Sequence, residues 1–382
     1  MERAQVVIIG GGVIGLSIAY SLAKRGCRGV VVLEKEKFLG AGSTGACAGG
    51  IRQQFSTEIN ILLGIASVCM YEEFERELDC KIDFRQNGYL FLLTSENGWE
   101  SFQKNVILQK KTGLSDVRLM SPKDVKKFVP LLNVDDVLGA TFCPTDALAD
   151  PNSVVQAYAK EARRLGVQIY TERAVTGIKI IGNKVDEVET KQGNISSNIV
   201  INAAGPYASL IGNMIGVPIP VSPVRRQIFV TTPFHEIPVS MPMVVDFETS
   251  LYMHPESGGL LMGMSDQNEQ PSYNTHTDQE FMMRVIEQVI HRMPILERAE
   301  IMRGWGGLYE VTPDCHPIIG AVLDITGLYC AAGFSGHGFM HAPVTGKLMA
   351  ELILDGKTFI DISSLSLTRF QDGHITRELN VI

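Results

Sequence analysis

The 382 residues are 45% apolar and 20% charged, enough for a large core and for two or more domains of about 150 residues, which excludes a small module and a disordered chain. Thirty-four Lys and Arg against 42 Asp and Glu give a formal charge of -8, and no basic patch offsets it, so nucleic acid and anionic membrane are excluded as partners. Seven scattered cysteines without a CxxC pair point to free thiols in a reducing cytoplasm and to no metal site. Residues 1–5 lead into an apolar strand without the regions of a signal peptide, and no apolar run of about 18 residues offers a membrane span.

In chain order, the β-branched run Val6–Ile9 predicts a strand, 13–25 an amphipathic helix and Val30–Leu33 a second strand, together a βαβ unit. Residues 10–15, Gly-Gly-Gly-Val-Ile-Gly, fit GxGxxG between that strand and helix. Gly10 makes the tight turn, Gly12 lets the backbone approach a pyrophosphate, and Gly15 lets helix and sheet pack closely. Glu34 ends the second strand, placed to accept from ribose hydroxyls. The fingerprint does not separate NAD from FAD, but the small-residue loop 38–44 favours FAD.

Further on, 88–94 reads as a strand, 152–165 as a helix, Gln168–Tyr170 as a strand, and 199–202 as a strand entering Ala203-Ala204-Gly205. Residues 223–232 alternate as a strand among recurrent prolines, which suggests an antiparallel sheet with edges. Further glycine clusters fall at 258–263, 304–307 and 333–338. The two characters interleave. The expected fold is α/β (α+β overall): a doubly wound Rossmann-like FAD-binding domain from 1–85, 145–215 and 325–382, plus a discontinuous antiparallel-sheet substrate domain from 86–144 and 216–324.

The stretches VVIIGGGVIG with VVLEK, AGSTGACAGGIRQQF, GYLFLL, PTDALADP, INAAGPYA, GWGGLYEVTPDCHPIIG and AAGFSGHGF run nearly end to end. In these the chain resembles the D-amino-acid oxidase (DAO) superfamily of FAD enzymes, and within it the β-subunits of sarcosine oxidase and of dye-linked L-proline dehydrogenase. The resemblance implies that Ser43 and Thr44 contact the flavin, that Val175 lies by the adenine through its backbone, and that Gly205 ends a strand near the cofactor. It implies that the loop from Gly333 to Phe339 sets Ser335, Gly336, His337 and Gly338 at the flavin edge, with the following helix dipole aimed at N1–C2=O. Arg52 matches the arginine that anchors a substrate carboxylate, and Tyr309 and Tyr252 match pocket positions. His337 is expected to contact the flavin or polarise the amine. His337 and His341 share helical spacing but lack a third ligand, so no metal is expected.

The pattern also has gaps. Met340 stands where monomeric sarcosine oxidases carry a carboxylate-binding lysine, and no lysine occurs between Lys191 and Lys347. A missing cation over the flavin disfavours oxygen reduction and favours a dehydrogenase; Arg225, Arg226 and Arg303 lie in the region, with Arg303 as a second anchor. Gly307 and Ala46 occupy the covalent-attachment places, so FAD is expected to be non-covalent. No histidine lies in 144–151, so any FMN would be non-covalent and at a subunit interface. The expected reaction is oxidation of a small secondary or primary α-amino acid, of the sarcosine, proline or glycine type, by hydride transfer to flavin N5 to give an imine. The alternatives are an oxidase releasing peroxide and an electron-relay subunit. A partner subunit or electron acceptor, and an oligomer, go with this reading.

Overall fold

The computed structural model describes residues 2–373 and 375–382. Its first sheet has six strands in the order Ile318–Ala321, Leu328–Ala332, Val200–Asn202, Val6–Ile9, Val30–Leu33, Gln168–Tyr170. All neighbours run parallel except the first pair, which is antiparallel. Val6–Ile9 and Val30–Leu33 are buried throughout, as continuous apolar runs must be when both faces of a parallel sheet are covered. Helices Val13–Lys24, Pro151–Arg164 and Gly338–Asp355 pack together on one face. Ile318–Ala321, inside the segment 216–324 expected for the substrate domain, turns back to pair with Leu328–Ala332 within this sheet.

A second sheet has eight strands, ordered Ile301–Val311, Ser222–Thr231, Gly259–Met264, Leu251–Glu256, Met243–Asp246, Tyr89–Leu93, Gly139–Cys143, Arg118–Met120. It is not wholly antiparallel as expected, since Met243–Asp246 pairs in parallel with Tyr89–Leu93. The two strands are far apart in sequence and are not joined as a hairpin, so nothing forces opposite directions. Alternation assigns the faces. Leu90 and Leu92 join a core with Phe281, Val285 and Val289 of helix Gln279–Arg292, while Tyr89, Phe91 and Leu93 lie on the opposite side with Ile228, Val245 and Tyr252. A four-stranded sheet, Glu2–Arg3, Ile195–Ser196, Lys184–Thr190 and Val175–Ile181, completes the nucleotide side.

Candidate active site

At the end of Val6–Ile9 the chain turns sharply. Gly10 has φ +117°, and a Cβ there would lie 2.3 Å from the Ala203 carbonyl oxygen. A Cβ on Gly15 would lie 2.0 Å from the Gly10 carbonyl oxygen, whereas one on Gly12 would meet only Thr44 Oγ1 at 3.3 Å. Gly10 and Gly15 thus leave no room for a side chain, and Gly12 has open space beside it. The helix makes its first internal bond from Leu16 N–H to the Gly12 carbonyl, 3.0 Å, which leaves the N–H groups of Ile14 and Gly15 for an anion. Glu34 Oε2 accepts from Gly11 N–H at 2.7 Å and Oε1 from Glu36 N–H at 2.8 Å, so this carboxylate braces the glycine loop and keeps lone pairs for hydroxyls. The Arg173 N–H bonds the Glu34 carbonyl at 2.9 Å, bringing the start of strand Val175–Ile181 to this end. Gly205, φ +55°, opens a short 3-10 turn facing space bounded only by Glu310 Oε2 at 3.7 Å.

From this loop a cleft holding about 1060 Å³ of empty space, its open mouth included, runs past Val13, Ser43 and Thr44 to Tyr252 and Arg226 on the eight-stranded sheet. Thr44 Oγ1 accepts from Val13 N–H at 3.2 Å, and Ser43 Oγ donates to the Leu308 carbonyl at 2.6 Å; both line the cleft, with hydroxyls already fixed by backbone. Ala46 and Gly307 face each other across the wall, a Cβ on Gly307 lying 2.7 Å from that of Ala46. Neither carries a nucleophile. Cys47 beside them is half-buried, and desolvation pushes its thiol up to about 12, which keeps it protonated.

The glycine-rich loop wraps the other end. Gly333, Ser335 and Gly336 all have positive φ, and a Cβ on Gly336 would sit 2.4 Å from the Tyr309 ring. Glu310 holds this loop: its Oε2 accepts from Gly333 N–H at 2.9 Å, and its carbonyl accepts from Ser335 N–H at 3.0 Å. Burial pushes the Glu310 carboxyl up to about 7. His337 precedes helix Gly338–Asp355, whose first backbone bond is His341 N–H to the His337 carbonyl, 3.1 Å. The N–H groups of Gly338, Phe339 and Met340 therefore have no intrahelical acceptor and are free at the cleft wall.

Arg52 is 2% exposed and heavily engaged. Its Nη1 donates to the Gln54 carbonyl at 2.8 Å, and its Nη2 donates to His337 Nε2 at 3.0 Å and to the Asn380 carbonyl. A guanidinium can only donate, so His337 Nε2 accepts and the imidazole proton sits on Nδ1. Burial, aided by the Arg52 charge, holds His337 well below its ordinary value, so it is neutral. Gln53 and Gln54 fix the segment that carries Arg52 by donating to Asp146, with Gln53 N–H at 2.8 Å and Gln54 Nε2 at 2.9 Å from the carboxylate. Burial pushes Asp146 up to about 7. Tyr309 and Tyr252 both line the cleft, their phenols raised by burial.

The predicted Arg303 does not join them: it lies exposed, stacked 5.1 Å from the Trp305 ring. Arg226 does, 5.1 Å from the Tyr309 ring centroid. Sequence patterns singled out neither Glu310 nor the 378–382 segment, and offered Arg226 only as one of three arginines in the region. Asp146 lay within the PTDALADP stretch and Glu310 directly after Tyr309, so both positions were on view without a reason to choose them. Among the described residues no group of three or more His, Cys, Asp or Glu could hold a metal, and no helix is long and apolar enough to cross a membrane.

The two free helix ends, the braced Glu34 and the cleft between them fit an extended dinucleotide with a ring system at the sheet interface. The family description "FAD dependent oxidoreductase" (DAO) matches residues 5–352. Mitochondrial dimethylglycine dehydrogenase of Rattus norvegicus is 33% identical across 97% of this chain and 45% of its own length, so the chain spans about half of that relative. FAD-dependent oxidoreductase domain-containing protein 1 of Xenopus laevis is 31% identical across 100% of this chain and 85% of its own. Among solved structures, L-proline dehydrogenase from P. horikoshii superposes with TM-score 0.92 at 37% identity, covering 98% of this chain and 100% of that one. Glycine oxidase from Geobacillus kaustophilus gives TM-score 0.87 at 26% identity, over 97% and 99%. The chain belongs to the DAO family of FAD-dependent oxidoreductases.

Proposed function

We propose that the protein oxidises the Cα–N bond of a small α-amino acid, of the proline, sarcosine or glycine type, and passes the electrons to a partner subunit or a separate carrier in the cytoplasm rather than to oxygen. One observation carries this reading. The charged side chains lining an otherwise apolar cleft are Arg52, Arg226 and Glu310, and Glu310 is near half-protonated at neutral pH, so the cleft is net cationic and suits a carboxylate. Similarity to L-proline dehydrogenase and glycine oxidase supports the same substrate class.

Bound FAD, held without a covalent link, supplies the acceptor for the hydride leaving Cα. Gly12, Ile14 and Gly15 would receive the pyrophosphate, Glu34 a ribose, and the N–H groups of Gly338 and Phe339 the electron-rich edge of the ring. A carboxylate held in this cationic cleft orients Cα–H, while Tyr252 and Tyr309 close the pocket and exclude water. No residue need act as a base if the amine binds unprotonated.

Oxidase chemistry remains a second reading because Arg226 supplies a cation in the cleft where no lysine occurs. Turnover of L-proline, sarcosine and glycine, measured once with an artificial dye acceptor and once with oxygen and a peroxide assay, decides between them. The proposal expects dye reduction with little peroxide. Equal rates with oxygen overturn the dehydrogenase assignment, and silence with every amino acid overturns the substrate class.

A further inference from the structure

We infer that Arg226, not Arg52, makes the direct contact with the substrate carboxylate, and that Arg52 is a positioning residue that fixes His337 and the 378–382 segment. The inference rests on the proposed amino acid oxidation and assigns who does what within it.

Three of the five N–H donors of Arg52 are already engaged, among them both hydrogens of Nη2. Three acceptors, the carbonyls of Gln54 and Asn380 and the ring nitrogen of His337, already take its two terminal nitrogens. The same segment is locked from its other side, where the Glu378 carboxylate accepts from Ser56 N–H at 2.8 Å, Thr57 Oγ1 at 2.6 Å and Asn60 Nδ2 at 3.1 Å. Each bidentate edge of a guanidinium, Nη1/Nη2 or Nε/Nη2, uses an Nη2 hydrogen, and both of these are engaged, so for Arg52 to grip a carboxylate with two bonds the His337 ring or the buried Asn380 carbonyl would have to lose its donor, which costs about 1–3 kcal/mol.

Arg226 is in the opposite condition. Its Nε is buried without a partner, its Nη1 makes one bond, to the Arg225 carbonyl at 2.9 Å, and it forms no ion pair among the described residues. Strand alternation explains the division of labour with its neighbour. Arg225 is turned away and paired with Glu269 at 2.8 Å, while Arg226 joins the cleft lining beside Tyr309 and Tyr252. Across the ladder Arg226 pairs with Gly307, so no side chain on that partner competes for its space. A half-buried guanidinium whose buried Nε–H is unmet in a cleft suits a carboxylate. The aromatic face of Tyr309 holds the guanidinium plane and so presets its edge towards the ligand.

The test uses the flavin-loaded protein and Arg226→Gln, Arg226→Lys and Arg52→Gln. Binding of tetrahydrofuran-2-carboxylate and of its neutral amide is followed by calorimetry; neither has an oxidisable amine. Reduction of bound flavin by L-proline and by prolinamide is followed in parallel. For wild type the carboxylate is preferred. Arg226→Gln should weaken the carboxylate probe about 100-fold and leave the amide unchanged, with Arg226→Lys recovering part of the loss. Arg52→Gln should affect both probes alike and lower the thermal midpoint. If Arg226→Gln keeps the carboxylate preference while Arg52→Gln abolishes it, the assignment is reversed. If wild type binds neither probe and no amino acid reduces its flavin, it is the amino acid reading that fails, whatever the variants do.

Discussion

Replacing Glu310 by Gln removes a titration that burial has displaced. The folded carboxyl sits at about 7 against an ordinary 4.5, so between these values the unfolded chain loses a proton that the folded chain keeps. Folding stability from this group is therefore fully present below pH 4.5 and is lost as pH rises through about 7. At 1.36 kcal/mol per pH unit the loss amounts to about 3 kcal/mol, most of it between pH 5 and pH 8. Gln keeps an acceptor for the Gly333 N–H, and whatever it costs by offering an amide instead of a second oxygen is the same at both pH values and cancels. The stability of Glu310→Gln relative to wild type should thus rise by about 2.5 kcal/mol from pH 5 to pH 8, read as the difference in thermal or denaturant midpoints of the flavin-loaded proteins. A difference that does not change with pH would refute the claim that the loop 333–338 is built on a buried, raised carboxyl.

Other outcomes follow from single contacts. Gly10→Ala places a Cβ 2.3 Å from the Ala203 carbonyl oxygen at a φ of +117°, so the purified variant should carry less than about a tenth of the wild-type flavin by absorbance; full occupancy would contradict the pyrophosphate role of the turn. Arg292, 1% exposed, donates to Asp246 and Asp136; Arg292→Ala should cost about 3–5 kcal/mol by leaving Asp246 buried and unpaired, while the ligand affinity of the protein that remains folded is unchanged. Acid precipitation should release all FAD to the supernatant, since Ala46 and Gly307 offer no point of attachment; flavin retained in the pellet would point to another nucleophile.

The nucleotide end was legible because its signals are local. Runs such as Val6–Ile9 and Val30–Leu33 are apolar on every residue, and the glycine spacing is set by backbone sterics that any sequence reading can recognise. The interleaving of two sheets could be read from composition, but not the parallel pairing of Met243–Asp246 with Tyr89–Leu93, which depends on where distant strands land. The cleft was half visible. Arg52 stood in a recognisable stretch, yet its engagement by the Asn380 carbonyl arises from a terminal segment with no periodicity. Arg225 and Arg226 are adjacent and chemically identical; only the register that sets Arg226 opposite Gly307 turns one to Glu269 and the other to the cleft. Arg303 lies on a strand of the same sheet, and the stacking on Trp305 that takes it out of the site is invisible to local pattern.

The central claim, oxidation of an amino acid held by its carboxylate in this cleft, is tested most directly by anaerobic titration of the flavin-loaded protein with L-proline, sarcosine and glycine, followed by admission of air. The account predicts that at least one of them bleaches the oxidised flavin band stoichiometrically, and that the bleached state persists in air until a dye acceptor is added. Bound FAD that none of the three reduces would contradict it.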